Sequence, residues 1–329
     1  MPKFCRHNRL LQNCPICSRE QEVELRPLVS SSAPRVAEPR PTASRSPGRR
    51  EPSRRPAGGA GLTVRRVRNS VDDGYRTPLA PGLKSSQEAS RLADELAFGA
   101  TRLRRLASDP PGLYAEVASG APDIEERTWL AFLIAYLGPL EQEDPFAAIA
   151  AVRTSWSSGQ LPDLDDVATG PRTAHDPARG TRTLEAYRAW AARAGSQAAA
   201  FAGDSGWSRE RRFARAFERL ALPGMHRDAR FDLLVCLGSL GAYDLEAGAL
   251  QLGGSDQVTV AAKRALGIGD PLLLERRALQ LAETCRIPLA AIDLGFFSWE
   301  RGERATAGLG PGAEPDSELS AVVYTALGL

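Results

Sequence analysis

Cysteine and histidine side chains of the kinds that bind zinc are concentrated at the start of this chain. Cys5, His7, Cys14 and Cys17 form the pattern C-x-H-x6-C-x2-C. Zinc takes four thiolate or imidazole ligands in a tetrahedron, and two cysteines separated by two residues reach one ion from a tight turn. The spacing therefore predicts a structural Cys3His zinc site in residues 1–20 that is closed to catalytic water, with unmetallated or redox-active thiols as the alternative.

A second segment with chemical potential is LALPGMHRDARFDLLVCLGSLG, which starts at Leu220. Its pattern predicts two helices joined by a short turn, because Leu222–Gly224 ends one periodic stretch and Met225 begins the next. In a helix-hairpin-helix, turn glycines expose backbone N–H groups and a helix N-terminus to a DNA phosphate. The alternative is that L-P-G simply ends a helix.

A third candidate is Asp256, in the segment SDQVTVAAKRALGIGDP. The pattern predicts a helix from Asp256 to about Leu266, with Ser255 as the N-cap and Gly267 at the end. Asp256 thus falls in the first helical turn, where a carboxylate complements the helix dipole by about 0.3–1 kcal/mol. A purely structural role and a chemical role both fit this position.

Helical periodicity governs the chain from Ser86 onward, and no alternating strand of useful length appears. The segment EERTWLAFLIAYLG is apolar on nearly every side, which is typical of a buried core helix. Trp129 and Tyr136 lie on this segment, either as core residues or as the lining of a pocket. The apolar run 129–140 is shorter than the roughly 20 residues that span a bilayer. The predicted fold class is therefore mainly α, without a membrane segment.

The composition divides the chain into three predicted regions. Residues 1–20 carry the Cys/His unit, residues 21–90 are rich in Arg, Pro and Ser, and residues 91–329 form the helical body. From Arg26 to Arg68 there are eleven arginines against two glutamates, whereas the rest of the chain has a formal net charge of −7. The middle region has too little apolar surface to fold, so a disordered linker is predicted. Its charge attracts polyanions, most commonly nucleic acid, although a solubilising linker would have the same composition.

The remaining cysteines and histidines suggest no further site. Five cysteines, an odd number, do not resemble a secreted disulfide framework, so a cytoplasmic protein with reduced or metal-bound thiols is expected. Cys236 and Cys285 lie in apolar helical segments and are predicted to be buried structural residues. His175 lies in a polar loop and is predicted to be an ordinary surface histidine.

Together the hairpin and the Asp256 segment resemble a known family. LPGMHR followed by SDQVTVAAKRALG resembles the L-P-G hairpin and the V-D-x-H-V-x-R-V-x-x-R-L-G motif of the helix-hairpin-helix (HhH-GPD) DNA glycosylases related to endonuclease III. The resemblance covers roughly Asp123 to Trp299. More narrowly, FCRHNRLLQNCPIC, EERTWLAFLIAYLGP and AAIDLGFFSWE resemble the bacterial α-glutamyl/putrescinyl thymine pyrophosphorylase clade three, which is similar to anti-phage glycosylases that excise hypermodified bases.

The resemblance assigns roles to particular residues. Asp256 would be the catalytic carboxylate, which stabilises the oxocarbenium character of the sugar or orients the attacking water. The target base would be flipped from the stack into a pocket, for which Trp129 and Tyr136 are candidate lining residues. The DNA contacts would come from the hairpin residues Gly224, Met225, His226 and Arg227.

The sequence also departs from the family pattern. His226 replaces the second hairpin glycine, so its side chain either crowds a phosphate or donates a hydrogen bond to it. Asp228 stands where some members have a lyase lysine, so Schiff-base chemistry and strand cleavage are not expected. The insertion YDLEAGALQLGG lengthens the spacing from Leu222 to Asp256, and the carboxy-terminal four-cysteine iron–sulfur motif is missing.

Three functions of different classes follow. The first is a monofunctional DNA glycosylase, expected to be a monomer, that excises a modified base, such as a glucosylated hydroxymethyl-pyrimidine of phage DNA, in antiviral defence. The second is a transferase that builds hypermodified thymine by displacing pyrophosphate, for which no amine-binding site is evident. The third is a non-catalytic module that binds double-stranded DNA. Release of free base would distinguish the first from the other two.

Overall fold

The computed structural model describes residues 71–121 and 123–329. The predicted zinc ligands Cys5, His7, Cys14 and Cys17 and the arginine-rich segment from Arg26 to Arg68 lie outside the described residues. The zinc site and the linker up to residue 70 therefore stay predictions.

Helices account for all the regular secondary structure in the described residues, which contain no β-strand, and this confirms the prediction of a mainly α protein. In chain order they are α1 (Ser86–Ser108), α2 (Leu113–Ala118), α3 (Ile124–Leu137), α4 (Ala147–Val152), α5 (Gly180–Arg193), α6 (Gln197–Ala202), α7 (Arg209–Arg219), α8 (Arg227–Ser239), α9 (Gln257–Leu266), α10 (Pro271–Cys285), α11 (Leu289–Arg301) and α12 (Ser317–Leu327). Within the same residues, no helix combines the length and the apolar character that a membrane span requires.

The most extensive helix packing is between α1 and α11, while α3 packs mainly against α8. The leucine stripe of α1 is buried at Leu92, Leu96 and Leu106, and α1 packs along α11. On α3 every residue from Thr128 to Leu137 is buried, as its uniformly apolar sequence predicts. Because this part of α3 has no exposed face, it is surrounded by other segments of the chain.

The chain before α1 belongs to the helical body from about residue 77, which corrects the predicted linker boundary at residue 90. Leu79 and Leu83 are buried, and the Gly82 N–H donates to the carbonyl of Ala265 at 2.9 Å. The Tyr75 hydroxyl donates to the carbonyl of Leu327 at 2.5 Å. The proline- and serine-rich composition concealed these few apolar anchors.

The two cysteines of the body are both buried and unpaired, as predicted. Burial raises the pKa of Cys236 to about 12 and that of Cys285 to about 11. Both thiols are therefore protonated at neutral pH, and Cys236 Sγ accepts a hydrogen bond from Arg102 Nη2 at 3.3 Å.

Candidate active-site cleft

The predicted hairpin is a helix, a turn and a second helix. α7 ends at Arg219, and α8 begins at Arg227 with His226 as its N-cap. The turn between them is closed by a hydrogen bond from the Met225 N–H to the Leu222 carbonyl at 3.1 Å. Gly224 occupies the left-handed region of the backbone at φ +77°.

The first turn of α8 and the segment before α9 line one cleft of about 530 Å³. Asp256 and the hairpin residues His226, Arg227 and Asp228, some thirty positions apart in the chain, thus meet in one place. The other walls come from the loop 171–173 and from Phe297 on α11. This convergence is the central feature of the candidate site.

Asp256 is itself the N-cap of α9, which corrects the assignment of Ser255 as the cap. Its Oδ1 accepts a hydrogen bond from the Thr259 N–H at 2.9 Å, and its Oδ2 accepts one from the Thr259 hydroxyl at 2.7 Å. Both oxygens are therefore oriented by the helix end, and the carboxylate still borders the cleft. The capping role and a chemical role are compatible in this geometry.

Beneath the cleft, a buried carboxylate holds two arginines. Asp293 on α11 accepts hydrogen bonds from Arg172 Nη2 at 2.6 Å and from Arg227 Nη1. Burial alone would raise the pKa of Asp293, but Arg227 and Arg172 more than offset this, and its pKa lies below the ordinary value. The Arg172 guanidinium also lies 4.7 Å from the centre of the Phe297 ring, so this cluster joins three of the cleft walls.

Arg227 also ties the hairpin to the loop that carries Asp256. Its Nη2 donates to the carbonyl of Leu250. The carboxylate of Glu275 on α10 accepts hydrogen bonds from the backbone N–H groups of Leu250 at 2.7 Å and Leu252 at 2.5 Å. The segment predicted to be an insertion is therefore a loop held at Leu250 and Leu252 by hydrogen bonds to Arg227 and Glu275. These bonds fix the position of the chain that leads to Asp256.

The structure separates the four predicted DNA-contact residues into two groups. The side chains of Met225 and Arg227 are buried, and that of Arg227 is engaged inside the protein, so any phosphate contact by these two residues would be through the backbone. His226 is exposed and Gly224 partly exposed. The surface that this turn offers to a phosphate is therefore the His226 imidazole and the backbone at the start of α8.

Asp228 is a second carboxyl group on the cleft. It lies in the first turn of α8 with its side chain 17% exposed, and its Oδ1 accepts a hydrogen bond from Arg227 Nη1 at 3.1 Å. Burial raises its pKa, and this effect outweighs the opposing attraction of Arg172 and Arg227. The nearby carboxylates of Asp293 and Asp256 raise the pKa further.

Trp129 and Tyr136 do not line this cleft, so the structure does not support them as lining residues of a pocket around Asp256. Trp129 is buried and stacks on Phe132 at 5.3 Å between ring centres. The Tyr136 hydroxyl lies 3.3 Å from Nδ1 of His175. His175 is partly buried against Tyr136 and Gly180, which corrects its prediction as an ordinary surface residue.

Sequence reasoning missed Arg172 and Asp293. Asp293 carried a usable signal, because it is a lone carboxylate in the apolar run LAAIDLGFFSW, and a charge on a buried helix must be paired. Arg172 gave no such signal in the loop before α5. Its partner lies 121 residues further along the chain.

The hairpin turn tolerates no side chain at Gly224. A Cβ there would stand 2.2 Å from Thr183 Oγ1 on α5, and a left-handed conformation costs about 1–2 kcal/mol for any other residue. We expect Gly224→Ala to lower the free energy of unfolding by at least about 2 kcal/mol, as measured by urea denaturation.

The matched control is Gly241→Ala, at a glycine with φ +69° and no atom within 4 Å of an added Cβ. It should show only the backbone cost of about 1–2 kcal/mol. Equal losses for the two variants would mean that the contact between the turn and α5 contributes nothing.

Comparisons of the chain with protein-family models, with curated proteins and with solved structures found no match. Among residues 71–121 and 123–329, no group of three or more His, Cys, Asp or Glu side chains is placed to hold a metal ion.

Proposed function

We propose that this protein is a monofunctional DNA glycosylase of the helix-hairpin-helix (HhH-GPD) type. The observation that carries the proposal is the meeting of the hairpin and Asp256 in a single cleft. The sequence resemblance requires these two elements to act together on one nucleotide, although they are far apart in the chain. A cleft of about 530 Å³ also falls within the roughly 300–1,000 Å³ typical of small-molecule sites.

Asp256 would act on a nucleotide flipped out of the duplex. Departure of the base develops positive charge on the sugar, and a fixed carboxylate stabilises that charge or orients the attacking water. The bonds from Thr259 hold the carboxylate in place before substrate arrives. Preorganisation of this kind avoids the cost of rotating the group during the reaction.

Single-step hydrolysis, without a covalent enzyme–sugar intermediate, is expected because no lysine of the described residues lines the cleft. The chain contains three lysines, Lys3, Lys84 and Lys263, and none of the described ones lines the cleft. A lyase reaction needs an amine at the sugar to form a Schiff base. The expected product is therefore an intact strand with an abasic site.

The proposed substrate is a hypermodified base, such as a glucosylated hydroxymethyl-pyrimidine, in double-stranded phage DNA. The support is the resemblance to clade three, and the corresponding role is antiviral defence. The alternatives, a pyrophosphorylase-like transferase and a non-catalytic DNA-binding module, predict no release of base. A small zinc unit held by Cys5, His7, Cys14 and Cys17 is part of the same proposal.

The decisive experiment is a screen of DNAs that carry different natural modifications. Purified protein is incubated with each DNA, free base is measured by mass spectrometry, and abasic sites are counted by their cleavage with alkali. The proposal expects free base and alkali-labile sites from at least one modified DNA, with no nicks before alkali. Covalent trapping by borohydride would contradict the monofunctional assignment, and incorporation of a labelled amine into DNA would favour the transferase.

The charge distribution predicts how the protein reaches DNA. Residues 71–329 carry 27 Lys and Arg against 35 Asp and Glu, a formal net charge of −8, whereas residues 1–70 carry 15 against 5. The helical body should therefore bind DNA weakly by itself, and flexible arginines bind phosphates without reading bases.

We expect deletion of residues 26–68 to weaken DNA binding and to flatten its dependence on salt, because fewer counterions are released. The preferred modified base should not change. Fluorescence anisotropy over a series of salt concentrations measures the first effect, and the base-release screen measures the second. A changed base preference after deletion would show that the segment takes part in recognition.

A further inference from the structure

Among the Arg and Asp side chains that line the cleft or lie directly beneath it, carboxylates outnumber guanidinium groups. Two arginines, Arg172 and Arg227, face three carboxylates, Asp228, Asp256 and Asp293. Asp293 is buried between both arginines, and Asp256 is engaged by the end of α9. Within the described residues, the carboxyl group of Asp228 accepts a single hydrogen bond, from Arg227 Nη1 at 3.1 Å. Arg227 also donates to the carboxylate of Asp293 and to the carbonyl of Leu250.

We propose that Asp228 is the proton donor for the departing base, acting from the wall of the cleft that also holds Asp256. This role rests on the proposed glycosylase function. Enzymes that cleave glycosidic bonds with acid assistance commonly use two carboxyl groups in different environments. One is protonated and donates a proton to the leaving group, and the other is ionised. In the family that the sequence resembles, some members have a lyase lysine at the position of Asp228. The resemblance therefore gives Asp228 itself no role.

The proposed reaction is a hydrolysis in which water is the only co-reactant. The bond between the sugar C1′ and the base nitrogen breaks, and its electron pair goes to the base. The carboxyl of Asp228 gives its proton to the departing base, while a water oxygen bonds to C1′ and its proton passes to Asp256. Exchange with solvent then returns the two carboxyl groups to their starting states.

The surroundings of Asp228 favour the protonated form. The groups that face it are Arg227 on its own helix, Arg172 in the loop 171–173, Asp256 at the start of α9 and Asp293 on α11. The two carboxylates and burial oppose the two cations, and the pKa of Asp228 is raised as a result. An acid with a raised pKa remains a donor at a higher pH than an ordinary aspartate.

The test measures single-turnover release of base against pH, with a duplex that carries glucosylated 5-hydroxymethylcytosine as the probe. Wild-type protein should lose activity as the pH rises through the pKa of Asp228. Asp228→Asn should react about a hundredfold more slowly and lose this alkaline limb, whereas Asp228→Glu should keep it. His226→Gln should also keep the limb, which excludes the imidazole on the same cleft as its source.

A second readout does not depend on the substrate. Asparagine mimics the protonated carboxyl at every pH, while wild-type Asp228 loses stability as the pH rises from its unfolded pKa of about 3.9 to its raised folded pKa. Asp228→Asn should therefore gain stability relative to wild type across this interval, as measured by urea denaturation. Parallel stability curves would overturn the proposal, because Asp228 would then not be held in the acid form.

The outcomes separate this proposal from the proposed function. Base release by wild type with an unchanged rate in Asp228→Asn overturns the donor role alone. A slow Asp228→Asn variant that keeps the alkaline limb also overturns it, since the residue would then only support the site. No release by wild type from any modified DNA overturns the glycosylase function and the donor role together.

Discussion

Replacement of Asp256 by asparagine should leave a folded, DNA-binding protein that releases base at least about a hundredfold more slowly. Asparagine has the same size, and its oxygen can still accept the hydrogen bond from the Thr259 N–H that Asp256 accepts at 2.9 Å. The negative charge that would stabilise the sugar cation is removed. The measurement is the single-turnover rate of base release, with DNA affinity measured by anisotropy on the same preparation.

The chain offers a matched control for this substitution. Asp270 caps α10 in the same way, since its Oδ1 accepts a hydrogen bond from the Leu273 N–H at 3.0 Å, but it does not line the cleft. Asp270→Asn should change the free energy of unfolding as little as Asp256→Asn does, by less than about 1 kcal/mol, and should leave the rate unchanged. Near-normal release of base by Asp256→Asn would reduce this carboxylate to its capping role.

Replacement of Asp293 by asparagine should lower the free energy of unfolding by about 3–5 kcal/mol, because breaking a buried ion pair leaves uncompensated charge. Asp293 is 2% exposed and is the partner of both Arg172 and Arg227. Neither arginine can regain water without opening the packing around it. Urea denaturation at neutral pH measures the loss.

The control is an ion pair of the same type at the surface. Arg153 contacts Glu116 at 2.7 Å, with the two side chains 42% and 45% exposed. Glu116→Gln should cost less than about 1 kcal/mol, because water screens exposed pairs. If Asp293→Asn were no more destabilising than Glu116→Gln, the buried cluster would not be what holds the cleft walls together.

Much of the fold could be predicted from local sequence pattern. The hairpin, the buried helix α3 and the burial of Cys236 and Cys285 are all as expected. These features depend on the spacing of apolar residues and on glycine and proline residues that end helices, and both signals act over a few residues. The cap of α9 was misplaced by one residue because serine and aspartate are both good N-caps.

Pocket lining could not be predicted in the same way. Trp129 and Tyr136 are large aromatic residues on an apolar helix, and such residues pack equally well in a core or around a cavity. Their neighbours decide the outcome: Tyr136 packs against Phe132 and His175, whereas Trp129 lines a separate cavity of about 280 Å³ that does not include Asp256. The predicted linker also extended too far, to residue 90, for a related reason, since the burial of residues 77–90 depends on distant contacts such as that of Gly82 with α9 and of Ser90 with α12.

The sequence by itself determined that the described part of the protein is helical, that a turn joins α7 to α8 and that a helix starts close to Asp256. Only the tertiary structure decided that these parts share one cleft, that Arg227 faces inward and that Asp228 lines the same cleft as Asp256. The reason is physical. Helix ends and turns are set by interactions between near neighbours, whereas a buried arginine takes whichever carboxylate the packing brings to it, here Asp293, 66 residues away.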